Sequence, residues 1–347
     1  ILLRGQYDQP GKTVSRRVPE FLPDMDPSLP KDRRGLSKWL VDPDNPLTAR
    51  VAVNRIWQSI FGTGLVRSSE DFGNQGEPPT HRQLLDWLAV DFRENGWDVK
   101  RLVKQLVMSR AYQRDAAISP EHLNVDPDNQ YYGRGPRHRL DAEVLRDQAL
   151  AIAGLLNSTA GGPSVKPPQP GGLWYAVGYT RSNTANFKAD EDPDKQFRRS
   201  VYIFWKRTSA PPQMSTFDAP SRESCTARRE RTNTPLQALL LMNETQYLQA
   251  AKHFALRMLI ECELKSVDDQ LAWLIQTATA RTPSGIEVAT LRSLLTRLRV
   301  HYGERPEDAS QLLSIDPTTT TVVTPDELAA WMMVASTVLN LDEVVNK

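Results

Sequence analysis

The stretch that most restricts this chain covers residues 45–112, NPLTARVAVNRIWQSIFGTGLVRSSEDFGNQGEPPTHRQLLDWLAVDFRENGWDVKRLVKQLVMSRAY. Three amphipathic helices follow one another there, each with its own start and stop signal. Asn45 is the N-cap of the first and Pro46 its first helical residue, where the missing N–H would have had no intrahelical partner anyway; Gly62 ends it. Leu47, Val51, Ile56, Trp57, Ile60 and Phe61 recur at helical spacing and form one apolar face. The second helix opens at Thr80 with Gln83 three residues on, a capping box, and stops at Gly96. The third opens at Asp98 and aligns Leu102, Val103, Leu106 and Val107. Such a run is a folding core. It specifies no chemistry.

The same punctuation continues along the chain. A short helix is predicted over 34–41, and RLDAEVLRDQALAIAGLLN at 139–157 reads as a helix with Leu140, Val144, Ala151 and Leu155 inward. Thr234 and Pro235 open a helix running to about residue 260, apolar around much of its circumference and so central and buried. Two more are predicted over 267–280 and 285–300, the latter with Ser284 and Glu287 as a capping box. A last one starts at Thr324, Pro325 and Glu327 after a Thr-rich linker at 316–324. SVYIFW at 200–205, β-branched and aromatic, is the best strand. The fold class is mainly α: about eight helices, one to three short β-strands and long Pro/Gly-rich loops. Prolines at 10, 19, 23, 27 and 30 make residues 1–35 an extended N-terminal arm. Residues 36–347 read as a single large helical domain, with a subdivision at a loop- and strand-containing insertion near 158–232 left open.

Composition removes several function classes. Forty-three basic residues against forty-two acidic ones leave no net field to attract nucleic acid or an anionic membrane. No apolar run has the length of a membrane span. The opening Ile1-Leu2-Leu3-Arg4-Gly5 has neither initiator Met nor a leader pattern, so the chain reads as a segment of a longer one. Cys225 and Cys262 are the only cysteines, and spacing does not decide whether they pair. Without CxxC or CxxCH, this segment offers no thiolate zinc site and no haem attachment. His81, His122, His138, His253 and His301 stand outside any HExxH or nucleophile-elbow context, and phosphate-loop and dinucleotide glycine patterns are missing. No metal or cofactor site is therefore expected here.

Four features invite a functional reading. The loop GTGLVRSSEDFGNQGEPPT is glycine-rich and polar, though a surface connection explains it more simply. Val-Asp-Pro-Asp-Asn occurs at 41–45 and again at 125–129; it lacks the central Gly and terminal Glu of a calcium loop, and Asx-turn chemistry accounts for both copies. Trp174, Tyr175 and Tyr179 beside glycines could stack a sugar, but a lid over the core is preferred. The densest feature is a polar cluster. Arg139, Glu143, Arg146 and Asp147 share one helix, with Glu143 and Asp147 four apart, a like-charge pair that cations must offset. Asp218 and the arginines Arg228, Arg229 and Arg231 lie on a loop entering a helix. These eight form either an ion-paired structural face or a binding site that positions carboxylates.

The order of NPLTARVAVNRIWQSIFGTGLV, EDFGNQGEPPTHRQLLDWLA, RLDAEVLRDQALAIAGLLN, GGPSV, RRSVYIFWKR, FDAPSRESCTARRERTNTPLQALLLMN and LNLDEV resembles the PSD1 domain, or DUF1553, family of planctomycetes and related bacteria. The resemblance covers nearly the whole chain. It implies the C-terminal module of an exported, extracytoplasmic protein in the periplasm or cell envelope. An export signal, a cytochrome-c-like domain and a second family-specific domain would precede it. Haem would then reside on those upstream domains, and they would be partners of this segment. The family carries no established activity and assigns no roles to its motif residues.

Two functions of different class follow. One is a non-catalytic module that binds a partner domain or an extracellular polysaccharide and supports the redox domains. The other is an enzyme on extracellular carbohydrate, redox-coupled through the upstream haem, with the carboxylates and arginines as its site. Convergence of those groups on one concave pocket discriminates the two. In the absence of a catalytic signature, the binding module is preferred.

Overall fold

A computed structural model describes residues 1–177, 186–316 and 323–347. Sixteen α-helical segments lie among the described residues, and extended pairing there is confined to isolated bridges. The chain is mainly α. It separates into two compact units, Ile1–Arg137 and His138–Lys347.

In the first unit, residues 1–32 hold one 3-10 turn, Leu3–Gly5, and little other regular structure. Helices α1 (Arg33–Leu40), α2 (Thr48–Phe61), α3 (Arg82–Glu94), α4 (Val99–Val107) and α5 (Pro120–Val125) follow. Asn45 acts as expected: its Oδ1 accepts from the Leu47 and Thr48 N–H groups, so helical geometry begins two residues later than the cap suggests. Gly62 closes α2 at φ 84, a conformation that costs a residue with a Cβ. Asp98 caps α4 through the Arg101 N–H. Thr80 does not cap α3; its hydroxyl donates to the Leu65 carbonyl, and α3 starts at Arg82 without a side-chain cap. Val53, Trp57, Phe61, Leu85, Leu88, Phe92, Leu102 and Leu106 meet in the core of this unit. Val103 leaves it and faces solvent.

The second unit contains α6 (Ala142–Ile152), α7 (Leu173–Val177), α8 (Pro193–Gln196), α9 (Pro212–Thr216), α10 (Pro235–Asn243), α11 (Thr245–Glu261), α12 (Val267–Thr279), α13 (Gly285–Glu304), α14 (Pro306–Leu313), α15 (Pro325–Leu339) and α16 (Asp342–Val345). The buried α11 and α15 pack on each other at its centre, with α6 against α11 and α13 against α15. Its first and last residues pair reciprocally: the His138 N–H donates to Lys347 O at 2.6 Å, and the Lys347 N–H returns to His138 O at 2.8 Å.

Three expectations change in this unit. The single helix predicted from Pro235 to about residue 260 breaks at Glu244, whose backbone is extended. Its carboxylate accepts from the Gln246 and Tyr247 N–H groups and so caps a new helix. Most of α11 is buried up to Leu259, whereas α10 leaves Leu236 and Leu239 each 58% exposed. The strand predicted at 200–205 is instead a 3-10 turn, Ser200–Tyr202, followed by one parallel bridge between Ile203 and Val165. Asp147 takes both the N–H and the hydroxyl of Ser200, which diverts the backbone from a ladder. Helix α6 is also rotated from its expected phase. Leu140 and Leu155, flanking it, pack against the core as expected, but within α6 Ala142, Leu145, Ala149 and Leu150 face inward, while Val144 and Ala151 face solvent. Arg146, on the polar face of this helix, is buried. The Thr-rich linker falls mainly outside the described residues.

Candidate functional site

The eight candidate residues separate into two arrangements on successive turns of α6. At its start, Arg229 Nη1 lies 2.6 Å from Glu143 Oε2, Nη2 lies 3.3 Å from Oε1, and Nη1 is 3.6 Å from Asp141 Oδ2. Arg231 approaches the other oxygen of Asp141 at 3.6 Å. Burial alone would raise the Glu143 carboxyl, but the Arg229 guanidinium and the Glu143 backbone N–H hold it below its ordinary value. Acidic groups at a helix N-terminus are favoured in any case by the unpaired N–H groups there. Asp218, at φ 60, accepts from the Thr232 N–H and hydroxyl. Arg139 donates to Asn346, Gln237 and Asn233 and lies over the Phe217 ring. Arg228 is exposed. The segment from Asp218 to Thr234 is thus tethered to α6 and α10 by charge and by amides.

One turn further, Arg146 is 1% exposed. Its guanidinium donates from Nε to Gln246 Oε1 at 2.8 Å, from Nη1 to Arg198 O at 2.9 Å and Ser200 Oγ at 3.2 Å, and from Nη2 to Gln196 O at 2.7 Å. Burial lowers its pKa, and the facing Asp147 carboxylate, at 3.5 Å, works against that. A guanidinium stays protonated at such a site because its intrinsic basicity is so high. Asp147 Oδ1 accepts from Ser200 N at 2.8 Å and Ser200 Oγ at 2.6 Å. Glu143 and Asp147 therefore serve different partners. The cluster is a set of tethers, one superficial and one internal.

Sequence reading missed several residues that complete the inner arrangement. Arg198 is buried, donates to the carbonyls of Thr159, Gly161 and Pro163, and stacks on Tyr202 at 3.9 Å. Gln246 both accepts from Arg146 and donates to Gln196 O. Gln237 accepts from Arg139 and donates to Thr216 O. The only local signal was an amide at an apolar helix position, as in PLQALL.

Two concavities among the described residues lie elsewhere. A half-open cavity of about 310 Å³ is walled by Pro167, Pro168, Phe204, Pro211, Leu236 and Leu239, with Gln169 and Gln213 among its polar lining. Trp174 is buried beside it, edge-on to Phe187 at 5.2 Å, with the Lys206 ammonium 4.8 Å from its ring. It is a packed wall residue, and Tyr175 is exposed; Tyr179 lies outside the described residues. In the first unit a more polar hollow of about 550 Å³ lies between α2, α3 and the loop from Phe72 to Pro79, with Arg50 and Asp86 paired at 2.7 Å on its rim. Buried Asn54 fastens the preceding turn: its amide accepts from Val66 N and donates to Val66 O and Ser69 Oγ. Gly64 is required beside it, since a Cβ there would stand 2.6 Å from Asn54 Nδ2 and from Val66 O. The two Val-Asp-Pro-Asp-Asn copies form turns in which Asp42 accepts from Asp44 N, and Asp126 from Gln130 N and Tyr131 N. Cys225 is exposed and Cys262 buried, and both are free thiols. No described helix is long and apolar enough to cross a membrane.

The family model PSD1, described as a protein of unknown function (DUF1553), matches residues 32–295, well over half of the chain. Searches of curated proteins and of solved structures returned no match.

Proposed function

We propose that this chain, which belongs to the PSD1 (DUF1553) family, works as a binding and scaffold module rather than as a catalyst. The observation that carries this reading is how the candidate carboxylates are engaged. Glu143 is held by Arg229, and Asp147 by Ser200 with Arg146 beside it. Neither lines the cavities described above. A glycosidase-type mechanism needs one carboxyl kept protonated and a second free across the scissile bond. Glu143 is shifted the other way, towards the ionised form.

In this reading the module is exported to the cell envelope, steadies cytochrome-c-like domains that precede it in the same polypeptide, and can hold an extracellular polysaccharide against them. The purified chain is incubated with soluble polysaccharides, and retention in affinity electrophoresis is read alongside release of reducing ends. Retention without turnover supports the module. Turnover abolished by Glu143→Gln or Asp147→Asn, at unchanged thermal midpoint, overturns it in favour of a carbohydrate-active enzyme.

A further inference from the structure

We infer that the polar hollow of the first unit is a binding site for a neutral polysaccharide, one sugar ring of which covers Phe72 and offers two adjacent hydroxyls to Arg50 and Asp86. This rests on the reading of the chain as a binding module and gives the ligand of that reading a seat.

The ion pair on the rim carries the inference. At about 550 Å³ the hollow has the size of a small-ligand cleft. Arg50 Nε donates to Asp86 Oδ1 at 2.7 Å, which joins α2 to α3 and leaves the other half of each group unused. Arg50 Nη1 donates to Pro46 O, while Nη2 makes no hydrogen bond among the described residues. Asp86 Oδ2 accepts none there either, since Arg82 Nε, at 3.9 Å, stands beyond hydrogen-bond reach. The two side chains are 36% and 39% exposed. An open donor and an open acceptor, each one carbon away from the paired atoms, therefore stand together at the mouth of the hollow. A hydroxyl both donates and accepts, so two neighbouring hydroxyls of one sugar ring can satisfy both at once.

The rest of the lining fits the same ligand. Phe72 is half-buried: it packs against the core of the unit and also lines the hollow. The apolar C–H face of a sugar ring covers such an aromatic surface while the hydroxyls at its edge stay with polar groups. The loop that carries Phe72 is ordered by its own bonds. Ser68 Oγ donates to Asp71 O and accepts from the Glu77 N–H, and Asp71 Oδ1 accepts from the Gly73 N–H. Gly76 is required in this turn, because a Cβ there would stand 2.1 Å from Asp71 O. A wall already in place loses little freedom on binding. Charge then selects a neutral ligand. Arg50 and Arg82 are balanced by Glu77 and Asp86 in the lining, so an anion would meet Asp86 and a cation would meet Arg50.

The test uses the whole chain and four probes: the neutral maltohexaose, cellohexaose and mannohexaose, and the acidic hexagalacturonate. Affinities and the residues affected are read by NMR titration of the isotope-labelled chain. At least one neutral hexamer is expected to bind and to shift the amides of Phe72, Asn74, Gly76 and Asp86. Asp86→Ala breaks only a partly exposed ion pair, so the thermal midpoint should hold. Binding should weaken roughly tenfold or more, because a hydroxyl loses its charged acceptor. Phe72→Leu keeps apolar contact with the core and removes the flat face, for a loss of about fivefold. Should Asp86→Ala melt early, the shift map and Phe72→Leu decide. No binding of any neutral hexamer, shifts confined to residues outside the hollow, binding indifferent to the substitutions, or tighter binding of hexagalacturonate would each overturn the site. The module reading falls separately, on turnover that is lost with Glu143→Gln or Asp147→Asn in the second unit.

Discussion

Replacing Arg146 with methionine isolates the inner tether. Methionine retains much of the aliphatic length and removes the guanidinium. The Arg198 and Gln196 carbonyls and the Gln246 Oε1 then lose a charged donor within a buried site, and Asp147 loses its adjacent positive charge. Gln196 O keeps one bond, from Gln246 Nε2 at 3.1 Å, so the loss is not complete there. Breaking one side of a buried charged network typically costs about 3–5 kcal/mol, because what is left behind stays desolvated. For a unit the size of His138–Lys347, each kcal/mol lowers Tm by roughly 2–4 °C, which makes the expected fall about 10 °C. Circular dichroism melts read it directly. Arg146→Lys should recover less than half, since a point charge cannot serve four acceptors from a planar fork. Arg199→Ala is the control: its side chain is exposed and lies 3.9 Å from Asp147, so it should change stability by less than about 0.5 kcal/mol. If Arg146→Met melts within 2 °C of the unmodified chain, the buried guanidinium is not what organises this region.

Glu143→Gln removes the charge facing Arg229 and should destabilise by about 1–2 kcal/mol, read as a shift in the urea midpoint; an unchanged midpoint would show that the outer tether is dispensable. Asn54→Ala leaves the Val66 N–H and carbonyl without their side-chain partner in a closed core, for a loss of about 2–3 kcal/mol and faster amide exchange at Val66. His138 gives a pH signature. Burial, then the charges of Arg231 and Lys347, push its pKa down from 6.5 to about 4. Between those values the unfolded chain binds more protons than the folded one, so stability should fall as pH drops from 6.5 to 4 and gain no further loss from this group below that. His138→Gln should flatten the slope in that window, while acid unfolding below pH 4 persists.

How much of this was legible in the sequence depended on how local the cause was. Asn45, Gly62, Asp98 and the Ser284–Glu287 box act within a few residues of themselves, and they sit where the sequence put them. Helix class followed from them. What failed had distant causes. Ser200 turned away from extended pairing because Asp147, far off in sequence, took its N–H. The helix after Pro235 broke because Glu244 is a cap as well as a good helix former, and sequence propensity cannot weigh the two. The α6 phase was lost through Arg146, whose burial is stabilised by carbonyls from residues 196 and 198 that no periodicity reveals. The eight candidates were recognisable as a charged cluster, but their separation into two sets of tethers depends on which loop lies across which turn. The cavity was less visible still. Its lining comes from residues 166–170, 203–213 and 236–244, with Phe187, and only the folded chain brings them together.

The reciprocal backbone pairing of His138 with Lys347 makes the second unit a closed ring in all but one covalent bond. Its two ends leave from the same point, so joining them and reopening the chain at an exposed turn such as that around Leu264 would lengthen no path through its core. Such a ring is also a cassette. It can be spliced into a surface loop of another protein, entering and leaving through a gap no wider than a pair of hydrogen-bonded backbones.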